Sequence, residues 1–199
     1  MPTPAATRTT TGPSTRARIL AAASELFYAH GIRATSADRI IDQVGITKVT
    51  FYRHFSTKSA LVVAYLEEQA AGERTWMGTV LQDGDPVGSL RALATDIGAA
   101  SCRPGFRGCA FINAAAEFAD PDDPVRAVVD AHRRWVLDLF AGIAAEAGAP
   151  DVDATARQLM LLRDGGMVNG YLNDPATVAD SLGAAFAALV ATPAAGSTG

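Results

Sequence analysis

The residues from Thr47 to Lys58 carry hydroxyl, amine and phenol groups at spacings that suit contact with a polyanion. Phe51 and Phe55 are four residues apart and predict the buried side of a short helix. The opposite side would present Thr47, Lys48, Thr50, Tyr52 and His54. Hydroxyl groups bind phosphates or base edges, and a lysine binds guanine O6 and N7 or a phosphate. This pattern favours a helix that lies in the major groove of DNA.

Two short helices joined by a tight turn are predicted to position these side chains. The first begins at Thr35 or Ser36, where Thr35 and Asp38 fit a capping box. The second runs from Thr47 to about Phe55, and Gly45 between them can take the positive φ angle that such a turn needs. The buried positions are expected to be Ile40, Ile41, Val44, Ile46, Phe51 and Phe55.

A longer helix is predicted to follow, with Ser56 as its cap. It carries Leu61, Val62 and Tyr65 and extends to about Leu81. Its first turn places Lys58 beside free backbone amides, and both the amine and these amides favour a bound phosphate.

Charge is unevenly distributed along the 199 residues. The first 60 hold eight basic and three acidic side chains, a net of +5, whereas the other 139 hold nine basic and 18 acidic, a net of −9. A basic segment on an acidic body is typical of a protein in which one part meets phosphate. The alternative at this point is a chance asymmetry between two parts of an ordinary globular protein.

The rest of the sequence predicts helices with short connections and no convincing strand. A first helix runs from Ser14 to a stop at Gly31. Asp-Pro pairs, each an N-cap followed by a proline at the first helical position, open segments of roughly 86–101, 124–147 and 175–191. Helices are also expected over 107–119 and 153–172. The fold class is therefore all-α, with about nine helices.

A further set of residues carries a resemblance to a known family. It comprises Leu26, Phe27, His30, Gly31, Thr35, Ile40, Gly45, Thr47, the run Thr50-Phe51-Tyr52-Arg53-His54-Phe55, Lys58 and Leu61. Spaced in this way over about 45 residues, they resemble the DNA-binding domain of the TetR family of bacterial repressors. The resemblance implies a three-helix helix-turn-helix domain over 14–60 and a helical ligand-binding and dimerisation domain over 61–191. Flexible tails are expected at 1–13 and 192–199.

The resemblance also implies which side chains touch DNA. The positions that match Tyr52 and Lys58 hold phosphates, and the position that matches Ser36 touches the DNA backbone. Thr47, Lys48 and Thr50 would lie along the groove. Val49 departs from the family, which often has glycine or another small or variable residue there. Its methyl groups either contact a thymine methyl or reflect a change in packing, and His54 is either a base contact or a residue that packs at the helix end.

By the same resemblance, the chain is a homodimer that binds a palindromic double-stranded DNA operator and is released from it by a small-molecule effector. In the family the last two helices, here 153–172 and 175–191, usually pair with their copies in a four-helix interface. The alternative is that both helices pack only within one monomer. Whether such a regulator represses or activates, and which operator, effector and genes it serves, is left open by the sequence.

A ligand cavity is expected among the helices after residue 60, because small-molecule pockets combine large apolar side chains with a few polar ones. The candidate lining residues are Trp76, Phe111, Asn113, Glu117, Trp135, Met160, Arg163, Met167 and Tyr171. Plain core packing is the alternative for each of them. Arg163, Asp164 and Glu117 could instead pair with one another.

Cys102 and Cys109 bracket a glycine-rich turn that contains Arg103 and Arg107. Two interpretations stay open, a thiol sensor activated by these cations and two small residues that pack. With no export signal in the sequence, a reducing cytoplasm is the expected compartment.

Enzyme, cofactor and membrane functions find no support in the sequence. It has no HExxH motif, phosphate-binding glycine loop or nucleophile elbow, and its three histidines are too far apart in pattern for a metal site. No run of apolar residues is long enough to cross a membrane. We therefore expect a regulator with no catalytic residues, no cofactor and no metal.

Overall fold

The computed structural model describes residues 12–190, which form nine α-helices, one short 3-10 helix and no strand. The α-helices are α1 (Thr15–His30), α2 (Ala37–Val44), α3 (Lys48–His54), α4 (Lys58–Val80), α5 (Pro86–Ser101), α6 (Ala110–Glu117), α7 (Pro124–Glu146), α8 (Val152–Leu172) and α9 (Val178–Val190). The predicted all-α class is confirmed. The tail predicted over 192–199 and residues 1–11 of the other predicted tail lie outside the described residues.

Polar N-cap residues and glycines define where several of the helices start and stop. Ser14 caps α1, and Gly31 ends it with a φ of 93°. Gly45 ends α2 in the left-handed region, with a φ of 70°, as the predicted turn requires. Asp85 and Asp123 cap α5 and α7 as predicted, because in each case the aspartate side chain accepts a hydrogen bond from a backbone amide.

Of the two starts predicted for α2, Thr35 and Ser36, the structure selects Ser36, and the predicted cap of α4 is wrong by one residue. The cap of α2 is Ser36, because Thr35 is fully buried and its hydroxyl donates to the carbonyls of Leu26 and Gly31. The cap of α4 is Thr57 rather than Ser56, since the Thr57 hydroxyl accepts from the Ala60 amide.

Two later helices are also shorter than predicted. The 107–119 segment is helical only from Ala110 to Glu117, because Gly108 has a φ of 74°, outside the helical region. After Asp174 the chain first forms a 3-10 turn, Pro175–Thr177, and α9 begins at Val178.

Two groups of buried apolar side chains hold the helices together. The first joins α1, α2, α3 and the start of α4 to α6 and the start of α7, through residues such as Phe27, Phe51, Phe111 and Val129. The second joins the end of α4 to α5, α7, α8 and α9. The helix α4 runs through both groups, so the boundary predicted at residue 60 lies near the start of one continuous helix. No helix in the described range is long and apolar enough to span a membrane.

The glycines of α8 have different surroundings. A side chain at Gly170 would collide with Ser101 of α5, and one at Gly166 would meet Leu182 of α9 at 3.0 Å. Gly165 faces open space. Gly166 and Gly170 therefore allow α8 to pack closely against α9 and α5.

Candidate nucleic-acid interface and ligand cavity

The turn between α2 and α3 is held by backbone and side-chain hydrogen bonds. The Gly45 amide donates to the carbonyls of Ile41 and Asp42. The Arg18 guanidinium of α1 donates to the Val44 carbonyl at 2.6 Å, which ties α1 to the turn. Five of the six predicted apolar positions are buried, and Ile46 is partly buried against the same core. The short α3 is therefore fixed on α1 and α2 and cannot rotate freely.

The outward side of α3 is polar, with one apolar exception. Thr47 caps the helix, its hydroxyl accepting from the Thr50 amide at 3.2 Å and pairing with the Thr50 hydroxyl at 3.0 Å. Val49 is 78% exposed, which rules out the packing interpretation of this residue in the described chain. His54 is the last residue of α3 and is half-buried.

Tyr52 and Lys58 stand on either side of the turn between α3 and α4. The Tyr52 ring is 49% exposed and packs edge-on against Phe51, with 5.2 Å between the ring centroids. Lys58 is the first residue of α4, and burial together with the nearby Arg33 charge lowers its pKa. Ser36, the N-cap of α2, is exposed. Its hydroxyl oxygen accepts a hydrogen bond from the Arg39 amide, so the hydroxyl can still donate its proton to another acceptor.

Lys48 is engaged by an acidic neighbour on α2. Its amine lies 2.8 Å from the Asp38 carboxylate of α2, and this contact raises the lysine pKa. Both side chains are more than half exposed, so the pair contributes little to stability. A phosphate that approached the Lys48 amine would have to compete with Asp38 for it.

We predict that Asp38→Asn strengthens DNA binding. The substitution releases Lys48 and removes a negative charge from the surface that faces phosphate. The slope of log affinity against log salt should then become steeper by about one unit for each protomer on the DNA, as for one added phosphate contact per Lys48. Fluorescence anisotropy at several salt concentrations measures it, with Asp42→Asn, an exposed carboxylate of the same helix, as the control. An unchanged slope would show that Lys48 makes no phosphate contact.

A cavity of about 760 Å³ lies between α1, α4, α5, α6 and α8. Three of the nine residues proposed from the sequence, Trp76, Phe111 and Met167, are on its wall. The wall also includes Tyr28, Glu68, Glu73, Asp96, Arg103 and Cys109. The other six candidates lie outside this cavity: Asn113, Glu117, Trp135, Met160, Arg163 and Tyr171.

These six residues have partners within the protein. The Asn113 amide donates to the Arg107 carbonyl, and Met160 is in the second apolar group. The Arg74 guanidinium lies over the Trp135 ring, and the Arg107 guanidinium lies over the Tyr171 ring. Glu117 and Arg163 belong to the two polar clusters described next.

A buried charged cluster, Glu73, His132, Arg163 and Asp164, joins α4, α7 and α8 behind the cavity wall. The Arg163 side chain is 1% exposed, and its guanidinium pairs with Glu73 and, at 3.2 Å, with Asp164. His132 Nε2 lies 3.1 Å from Glu73 without the alignment of a hydrogen bond. Burial raises the pKa of Glu73, but contact with His132 and the charge of Arg163 outweigh it, so that the pKa is lowered.

A second polar cluster, the α6 clamp, holds both ends of α6 against the end of α1. At one end the Glu117 carboxylate accepts from the amides of Ile32 at 2.9 Å and Arg33 at 2.6 Å. At the other end the Tyr28 hydroxyl donates to the Gly108 carbonyl and accepts from the Arg107 amide, both at 2.9 Å. The sequence offered no signal for these contacts, because the partners are 79 to 85 residues apart.

The two cysteines differ in exposure. Cys102 is exposed and Cys109 is buried on the cavity wall at the start of α6. The cation beside Cys109 is Arg163, whose Nη1 is 4.0 Å from the sulfur, whereas the Arg107 guanidinium donates to the Ala29 carbonyl. Among residues 12–190, no three His, Cys, Asp or Glu side chains are grouped so that they could hold a metal ion.

Comparison with known proteins places the chain in a family. A model described as bacterial regulatory proteins, tetR family, matches residues 19–65. The solved structure of SCO4454, a TetR-family transcriptional regulator from Streptomyces coelicolor, is 39% identical with a TM-score of 0.82, and the match covers 89% of this chain and 94% of that one. The chain belongs to the TetR family. Its TetR-type N-terminal helices therefore support DNA-binding regulation as the broad function.

Two curated relatives match the N-terminal part of this TetR-family chain. The transcriptional activator FasR of Mycolicibacterium smegmatis is 42% identical over 52 residues, 26% of this chain and 24% of that protein. The transcriptional regulator TtgR of Pseudomonas putida is 32% identical over 85 residues, 42% of this chain and 40% of that protein. The chain thus matches less than half the length of either relative.

Proposed function

We propose that the protein is a dimeric repressor that binds a palindromic operator through α3 and is released from it by a small molecule. The observation that carries the proposal is the division of α3 into two faces. Val49 and Tyr52 are exposed on the outward face, whereas Phe51 and Phe55 are buried on the opposite one. In this arrangement Thr47, Lys48, Val49 and Thr50 lie along the groove, where the Lys48 amine reaches a phosphate, while Ser36, Tyr52 and Lys58 meet further phosphates. His54 lies at the edge of this surface.

Exposed apolar side chains on α8 support the dimer. Leu161, Val168 and Leu172 are between 43% and 71% exposed, and their spacing puts them on one side of the helix with Gly165. A groove of about 340 Å³ between α8 and α9 adjoins this side. A second copy that covers the groove and the apolar side chains would complete a four-helix interface and present two α3 helices to successive grooves.

The α6 clamp supports release by a small molecule. Residues 109–111 at the start of α6 line the cavity, while Glu117 at its end binds the amides that lead into α2. A ligand that moves α6 therefore changes the position of α2 and α3. It can weaken DNA binding only if it binds that conformation more tightly than the DNA-bound one.

The test combines in vitro selection of bound DNA with anisotropy titrations of the selected site. We expect a palindromic site with half-sites about one helical turn apart. Tyr52→Ala and Lys58→Ala should each weaken binding at least tenfold, because a hydrogen bond to a charged group is worth about 1.5–3 kcal/mol. Arg91→Ala, which removes an exposed cation from α5, is the matched control. If both variants bind as tightly as the parent protein, the assigned interface is wrong.

Activation is the second candidate, because the relative FasR is named an activator. Transcription in vitro from a promoter that carries the selected site separates the two functions. Added protein should reduce the transcript if it represses and increase it if it activates.

A further inference from the structure

The ionisable side chains on the cavity wall are mainly acidic. Three carboxylates, Glu68, Glu73 and Asp96, line it together with one cation, Arg103. Glu73 is balanced by Arg163 behind the wall. Neither Glu68 nor Asp96 forms an ion pair with any residue between 12 and 190. The wall therefore has two unpaired carboxylates and one guanidinium, that of Arg103, and its net charge is negative.

Much of the rest of the wall is aromatic or apolar, although Ser24 and Gln69 also line it. Tyr28, Trp76 and Phe111 contribute rings, and Met167 contributes a thioether. The Trp76 indole N–H donates to Asp96 Oδ2 at 2.7 Å, which fixes the ring beside a carboxylate. An aromatic face next to a negative charge attracts a cation through both the ring quadrupole and the charge. An anion in the cavity would instead be repelled by the two exposed carboxylates of its wall, Glu68 and Asp96.

We propose that the cavity takes an organic cation with a large apolar body. The apolar body would displace water from the rings and Met167, and its positive charge would lie near Asp96 and Glu68. The acidic part of the chain, with a net charge of −9 after residue 60, would draw such a cation toward the cavity. This inference rests on the proposed function, in which the same cavity receives the effector.

Two ions of the same shape and opposite charge test the inference. Tetraphenylphosphonium and tetraphenylborate are titrated separately into the full-length protein and followed by isothermal titration calorimetry. We expect the cation to bind at least tenfold more tightly than the anion. The double variant Glu68→Gln and Asp96→Asn should weaken cation binding about tenfold or more, since both favourable charges are lost. The amide oxygen that Asp96→Asn introduces can still accept the Trp76 hydrogen bond, so the wall keeps its shape.

The matched control is Glu67→Gln, which removes an exposed carboxylate from α4 at a position outside the cavity wall. Its affinity for the cation should equal that of the parent protein. Equal or tighter binding of tetraphenylborate, no binding of either ion, or an unchanged affinity in the double variant would overturn the inference. Operator binding by the same protein sample separates this failure from that of the proposed function, because a protein that binds its operator but not the cation refutes only the ligand class.

Discussion

Glu73→Leu is expected to lower the free energy of unfolding by about 3 kcal/mol, the lower end of the range for breaking a buried ion pair. The substitution leaves the Arg163 guanidinium buried, with Asp164 as its one remaining carboxylate. Because a buried charge without its partner is costly, most of the loss comes from Arg163 rather than from the missing carboxylate. Urea denaturation followed by circular dichroism, at one fixed protein concentration, measures it.

The control is the double variant Glu73→Leu with Arg163→Met, which removes both charges. Because replacing a buried ion pair by apolar residues is often nearly neutral, we expect it to recover most of the stability. A single variant as stable as the parent protein would mean that water reaches Arg163 in solution. A double variant as unstable as the single one would mean that packing, rather than charge, carries the loss.

The same pair sets a pH dependence. The folded state lowers the Glu73 pKa, so the contribution of Glu73 to stability is fully present above the usual glutamate pKa of about 4.3. That contribution is lost as the pH falls below this value and through the lowered pKa. The stability difference between the parent protein and Glu73→Leu should therefore shrink on acidification.

Glu117→Ala is expected to speed hydrogen exchange of the Ile32 and Arg33 amides at least tenfold. Each amide donates to the Glu117 carboxylate, and a hydrogen bond to a charged acceptor is worth about 1.5–3 kcal/mol. Exchange measured by mass spectrometry, on peptides that span residues 30–36, reports the change. Since these residues lead directly into α2, operator affinity should fall as well.

Glu117→Gln provides the matched control, because its amide oxygen still accepts a hydrogen bond but lacks the charge. Its exchange rates should lie between those of the parent protein and the alanine variant. Exchange that stays at the parental rate in Glu117→Ala would show that the α6 clamp does not form in solution.

Much of the fold could be predicted from the sequence because its signals are local. Glycines with a positive φ angle, such as Gly31 and Gly45, and Asp-Pro pairs such as Asp85-Pro86 mark helix ends through the backbone itself. The helix caps were less certain where two neighbouring residues both suited the role. Thr35 and Ser36 both suit a cap, and burial of the Thr35 hydroxyl under α1 decided between them.

The cavity and its surroundings were less predictable because they depend on distant contacts. Arg163 was proposed as a lining residue, but it is 1% exposed because Glu73, 90 residues earlier, neutralises it behind the wall. Glu117 was proposed for the same cavity, and its carboxylate instead binds backbone amides about 85 residues away. Neither partner has a type or spacing that singles it out in the sequence.

The unbroken helix α4 has a mechanical consequence. Its 23 residues make a rod about 35 Å long, with Lys58 at one end and Trp76 near the other. A tilt of about 5° about the Val80 end would displace the Lys58 end by about 3 Å, close to the rise of one base pair. In the symmetric dimer proposed above, the two displacements would add. A small rearrangement at the cavity would therefore become a larger displacement at the other end of α4. The two α3 helices would then no longer fit successive turns of the DNA.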